Sequence, residues 1–92
     1  MKKITMFYGK ECPHCHVMLH IVDQLIKEGE NIEKLEVWHN DDNAREMRKY
    51  SEACLKACEG SLGVPVFLDK EENRALCGEV SYDKLKEWIN RE

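Results

Sequence analysis

The run Lys3 to Tyr8, K-I-T-M-F-Y, is rich in β-branched, aromatic and apolar residues, too short for a free helix, and closed by Gly9. It reads as a buried strand. The period then changes. From Pro13 onward Val17, Met18, Ile21, Val22, Leu25 and Ile26 recur at helical spacing, and Gly29 supplies a C-terminal stop. A second short strand is expected over Ile32 to Trp38, with Leu35 and Val37 as its apolar members. The cluster Asn40-Asp41-Asp42-Asn43 that follows offers several N-cap residues. One helix is expected from there to Gly60, carrying Ala44, Met47, Ser51, Cys54, Leu55 and Cys58 within one apolar stripe.

Beyond Gly63, Val64-Pro65-Val66-Phe67-Leu68, the turn-like Asp69 to Asn73 and Arg74-Ala75-Leu76-Cys77 form a candidate hairpin, its first strand opening on proline, where a missing N–H does least harm. Ser81 can cap a last helix with Leu85, Trp88 and Ile89 facing inward. The order is β-α-β-α-β-β-α. Strands alternating with helices call for an α/β fold: a four-stranded mixed sheet, mainly parallel with an antiparallel hairpin at its edge and helices on both faces. With 92 residues, 42% of them hydrophobic, residues 1–92 make a single domain, with no room for a second core.

A formal charge of -4 argues against a phosphate-tracking basic surface, so nucleic acid is not an expected partner. Met1-Lys2-Lys3 resembles the start of a signal peptide, but the apolar run after it is too short for one, and no stretch approaches the roughly 20 apolar residues of a membrane helix. A cytoplasmic chain that does not engage membranes is the expectation. Five cysteines is an odd number, so a closed set of structural disulfides would leave a thiol over. Cysteine here reads as chemistry more than scaffold, in a compartment that keeps thiols reduced.

That chemistry centres on Cys12-Pro13-His14-Cys15. A dithiol catalyst needs one thiol that ionises at working pH and a second close enough to resolve the mixed disulfide. Cys12 falls at the start of the first helix, where unpaired N–H groups and the helix dipole favour an anion. Pro13 suits the first helical turn because its φ is already helical and its missing N–H has no intrahelical acceptor anyway. Cys15 lies within one turn of Cys12. His14 can donate a hydrogen bond to the Cys12 thiolate or, protonated, add positive charge, which pushes the couple toward oxidising potentials.

Phe7-Tyr8-Gly9-Lys10-Glu11-Cys12-Pro13-His14-Cys15 and Gly63-Val64-Pro65-Val66-Phe67 together resemble the thioredoxin superfamily, and the short chain and element order resemble its glutaredoxin-like branch. The resemblance covers almost the whole chain. It implies a thiol-disulfide oxidoreductase in which Cys12 attacks, Cys15 resolves, and Val64-Pro65, with a cis-proline, docks the backbone of the substrate. From the residues alone a trans proline at an edge-strand start stands equally. The family's usual cation is matched loosely by Lys10, two residues before Cys12. Glu79 and Val80 occupy the loop where glutathione contacts belong, a departure from the glutaredoxin pattern. Expected partners are protein or small-thiol disulfides, with a reductase or low-molecular-weight thiol as electron donor, acting on a monomer without cofactor or metal. The lack of a signal segment favours reduction as the direction; His14 leans the other way.

Three thiols remain. Cys54 and Cys58 share one side of the second helix and read either as small core residues or as an auxiliary redox or metal pair. The inferred topology brings Cys58 and Cys77 to the sheet edge that carries Cys12, as possible auxiliary thiols. Two rivals come from other classes. Zinc held by Cys12, Cys15, Cys54 and Cys58 would make a non-catalytic adaptor, and Cys12 to His16 matches the c-type haem attachment motif. His16 and His20 have a metal-ligand spacing but point away from the helix's apolar stripe, which suits exposed histidines.

Overall fold

The computed structural model describes residues 3–60 and 63–90; Met1 and Lys2, which open the basic N-terminal cluster, lie outside the described residues. The elements are β1 (Lys3–Tyr8), α1 (Pro13–Lys27), β2 (Asn31–Glu36), α2 (Asp41–Lys49), α3 (Ser51–Ala57), β3 (Val66–Asp69), β4 (Arg74–Cys77) and α4 (Tyr82–Ile89). The sheet runs β2-β1-β3-β4, with β1 and β2 parallel and the two later pairings antiparallel. This is the expected four-stranded mixed sheet, but the antiparallel pairings outnumber the parallel one.

Alternation along β1 sends Ile4 and Met6 to one face and Phe7 to the other. The first face packs Met18, Val22 and Leu25 of α1, Phe67 of β3 and Leu85, Trp88 and Ile89 of α4. The second packs Met47 of α2, Ala53 and Cys54 of α3, and Val66 and Leu68 of β3. The helix starts are capped as their residues allow. Asn40 accepts the Asn43 N–H at 3.1 Å, and Ser81 accepts the Lys84 N–H at 3.2 Å. Asp69 is fully buried, paired with Arg74 at 3.3 Å, and the Arg74 guanidinium also lies over the Trp88 ring and donates to the Trp88 carbonyl. That pair ties the hairpin to α4.

Three expectations change. The single second helix is two, because the backbone breaks at Tyr50 (φ -114°, ψ 28°). The break resets the phase of the stripe, so in α3 the buried residues are Ala53 and Cys54, while Ser51 and Leu55 are half-buried. In α1, Val17 and Ile26 are exposed at 46% and 37%, since the sheet and α4 cover a stripe only as wide as Cys15, Met18, Val22 and Leu25. The second strand stops at Glu36, before Val37 and Trp38, where the Glu36 carboxylate accepts the Trp38 and His39 N–H groups in a turn.

Candidate active site

Cys12 is the N-cap of α1. Its backbone is extended (φ -81°, ψ 114°), Pro13 takes the first helical position, and the Cys12 sulfur accepts the N–H of Cys15 at 3.2 Å. A sulfur here does what a serine or aspartate oxygen does at other helix starts, and the same N–H stabilises negative charge if the thiol ionises. Cys12 is 5% exposed, less than an open nucleophile would be, because the segment before β3 lies over it: its S–H points at the Val64 carbonyl, 3.9 Å away. The Val64–Pro65 bond is cis.

Cys15 is fully buried, and its thiol is pushed up to about 12. Burial does most of this; the hydrogen bond with Cys12 adds to it, and a contact with the Gly9 backbone opposes it. Cys15 therefore keeps its proton throughout the pH range where proteins work. Two thiols at one helix start thus sit in unequal environments, one sulfur accepting the Cys15 N–H, the other thiol buried beneath it with its proton favoured.

His14 departs from its expected place beside the sulfur. Its side chain is 72% exposed and its Nδ1 meets the Glu79 carboxylate at 2.9 Å. Position N2 of the helix turns the ring outward toward the loop after β4, where it hydrogen-bonds a carboxylate. Lys10 is exposed, its N–H donating to Glu36 and its carbonyl accepting from the His16 ring.

Glu36 escaped the sequence reading. Its carboxylate accepts the N–H groups of Lys10 (2.9 Å), Trp38 (3.1 Å) and His39 (2.8 Å), joining the turn before Cys12 to the turn after β2. Desolvation opposes the carboxylate's charge, but these three N–H bonds outweigh it, and its pKa sits below the usual range. The only sequence signal was a carboxylate at the end of a strand followed by turn residues. His39 adds a second tie, to Glu11 at 2.7 Å, and the Glu11 hydrogen bond with its charge raises the histidine above 6.5. A raised histidine contributes stability below its unfolded value and loses it as pH climbs through the folded one. Glu11→Gln should bring the His39 titration, followed by NMR, back down toward 6.5; an unchanged midpoint would refute this tie.

Trp38, 51% exposed, lies flat against Gly9, where a built Cβ would come within 2.2 Å of the indole. Gly9→Ala must therefore shift either the ring or the turn before Cys12, and Trp38 fluorescence should change, whereas Gly63→Ala meets open space and should not alter it. Trp38, Val37, Met47, Arg48 and Val64 line a groove of about 360 Å³, and Val64 is also the residue whose carbonyl faces the Cys12 sulfur.

Cys58 is joined to Cys77 as a disulfide, with Cα atoms 5.3 Å apart, while Cys12, Cys15 and Cys54 are free thiols. This corrects the reading of Cys54 and Cys58 as a pair: helical neighbours share a face, but the partner sulfur comes from the adjacent strand. It also removes the zinc arrangement, which needed the Cys58 thiolate. Among the described residues no group of three or more His, Cys, Asp or Glu is placed to hold a metal. Nor, among those residues, is any helix long and apolar enough to cross a membrane. Cys54 is a core residue, its thiol pushed up by burial.

No protein-family model matches the chain, and no curated protein matches it. Among solved structures, the crystal structure of a glutaredoxin from Archaeoglobus fulgidus is similar, with a TM-score of 0.65 and 25% identity over 98% of this chain and 88% of that one.

Proposed function

Because the chain is a glutaredoxin-like protein of the thioredoxin superfamily, we propose that it is a thiol-disulfide oxidoreductase that reduces peptide disulfides through Cys12 and Cys15. The observation that carries this reading is the asymmetry of the two sulfurs: Cys12 takes the Cys15 N–H at the helix start, and Cys15 is buried and neutral. The Cys12 thiolate attacks one sulfur of the substrate disulfide, forming a mixed disulfide and expelling the first substrate thiolate. Cys15 then attacks the Cys12 sulfur, the second substrate thiolate leaves, and the Cys15 proton passes to solvent or to that leaving group. Two electrons and two protons reach the substrate, and Cys12–Cys15 is left oxidised.

Val64 docks the substrate backbone in this reading. In the resting thiol its carbonyl takes the Cys12 S–H; ionisation of Cys12 removes that donor and frees the carbonyl for a substrate N–H. Pro65 fixes the segment, and Lys10 lends positive charge at the rim. The reductive direction is supported by His14, whose ring is turned outward to the Glu79 carboxylate instead of toward the Cys12 sulfur. The carboxylates of Glu11 and Glu79 beside the entrance suit peptide substrates better than glutathione, which is itself an anion. A monomer in the cytoplasm, recharged by a reductase or small thiol, completes the proposal.

Reduced protein mixed with a peptide disulfide should cleave about one bond per chain, with peptide mapping finding Cys12 joined to Cys15 afterwards. Cleavage without that bond would sink the assignment.

A further inference from the structure

Cys58 and Cys77 each begin a chain segment that ends on the active site. Cys58 closes α3, and the chain then turns through Glu59 and Gly60, both at positive φ (58° and 99°), on its way to Val64, whose carbonyl faces the Cys12 sulfur. Cys77 ends β4 in register with Val66; the next residue, Gly78, donates its N–H to the Pro65 carbonyl at 2.8 Å, and Glu79 after it holds His14. The bridge therefore sits at the common root of the two segments that border Cys12. We propose that the Cys58–Cys77 disulfide is a second redox site, reducible by low-molecular-weight thiols, whose closed state positions these segments for docking of peptide disulfides. This rests on the oxidoreductase reading of Cys12 and Cys15.

Two features distinguish it from a purely structural staple. Both half-cystines are partly exposed, whereas Cys54, one turn before Cys58 on the same helix, is fully buried. Exchange requires an attacking thiolate to reach a sulfur, and the bridge lies nearer solvent than the Cys54 thiol does. The element that the bridge anchors is also weak on its own: α3 has seven residues and no side-chain hydrogen bond at its N-cap. So short a helix depends on tertiary attachment, and its C-terminal end is where the docking segment departs.

The exchange balances without further reactants. One thiolate attacks Sγ of Cys58 or Cys77, breaking the Sγ–Sγ bond and forming a mixed disulfide. A second thiol displaces the protein sulfur, giving two protein thiols and one oxidised small disulfide, with two electrons and two protons transferred. Open, the bridge no longer ties α3 to β4. Gly78 and Pro65 then lose their common anchor, and the Val64 carbonyl is no longer held over Cys12.

The test compares wild type with the bridge closed, wild type with the bridge opened in a more reducing thiol buffer and left unalkylated, and the Cys58→Ser/Cys77→Ser double variant. Alkylation mapping in graded thiol buffers should find Cys58 and Cys77 titrating as a pair in the folded protein, separately from Cys12 and Cys15. With the bridge open, KM for a peptide disulfide should rise about tenfold while kcat and the rate on a small aromatic disulfide stay within about twofold, since binding geometry and not chemistry is lost. Hydrogen exchange at the Gly78 amide should accelerate in parallel. Unchanged KM, unchanged Gly78 protection, or an equal fall on both substrates would overturn the proposal, the last because it marks general loss of structure. A pair that opens only on global unfolding would overturn it too. If closed wild type cleaves no disulfide at all, the oxidoreductase reading fails instead, and Gly78 exchange still decides whether the bridge positions the segment. Should the double variant not fold, wild type in the more reducing buffer, with Cys12 and Cys15 unmodified, supplies the same readouts.

Discussion

Cys12→Ser should abolish cleavage of a peptide disulfide, a loss of about 1000-fold or more on the scale of removing a covalent nucleophile. Serine keeps the N-cap, because its oxygen can accept the Cys15 N–H as the sulfur does. The variant should therefore fold and melt close to wild type, which separates lost chemistry from lost structure. Cys15→Ser should behave differently. Cys12 remains able to attack, but nothing buried beside it resolves the product, so the protein should accumulate as a mixed disulfide with its substrate, visible as a mass increase equal to one substrate half. Turnover by Cys12→Ser at the wild-type rate, or no trapped adduct with Cys15→Ser, would each contradict the roles assigned to the two sulfurs.

Removing the second disulfide should have the largest effect on stability. Cys58 and Cys77 are 19 residues apart, and closing a loop of that length in the unfolded chain is worth about 3 kcal/mol in the chain-entropy account. For a domain of this size that corresponds to roughly 15 °C in melting temperature. The loss should fall first on α3, which has seven residues and no side-chain cap, and last on the core around Met6, Met18 and Phe67. Thermal unfolding of the oxidised wild type against Cys58→Ala/Cys77→Ala measures it; a difference under about 1 kcal/mol would show that α3 holds its place without the bridge.

Much of the molecule follows from local rules. Lys3 to Tyr8 is a short apolar, β-branched and aromatic run and is a strand over the expected residues, buried from Ile4 to Phe7. Pro13 opens α1 because its geometry permits nothing later, and Gly29 ends it at a φ of 103°. Ser81 caps α4 and Leu85, Trp88 and Ile89 line its inner face. These outcomes depend on neighbours within a turn or two. The break at Tyr50 does not: no proline or glycine marks it, and it is set by packing of two short helices on one sheet face.

The placement of Cys12 and Cys15 at a helix start is legible from four adjacent residues, since capping, the proline rule and the reach of one helical turn are all short-range. Their unequal environments are not. Cys15 is neutral because residues from distant elements bury it, and Cys12 is covered because the segment before Pro65 returns to it across 52 positions. The same limit hid the His14–Glu79 contact, the Glu36 brace and the choice of Cys77 over Cys54 as partner of Cys58. Periodicity reports which face a residue occupies. Which residue of another element meets it there is set by sheet order and register, and these emerge only when the whole chain packs.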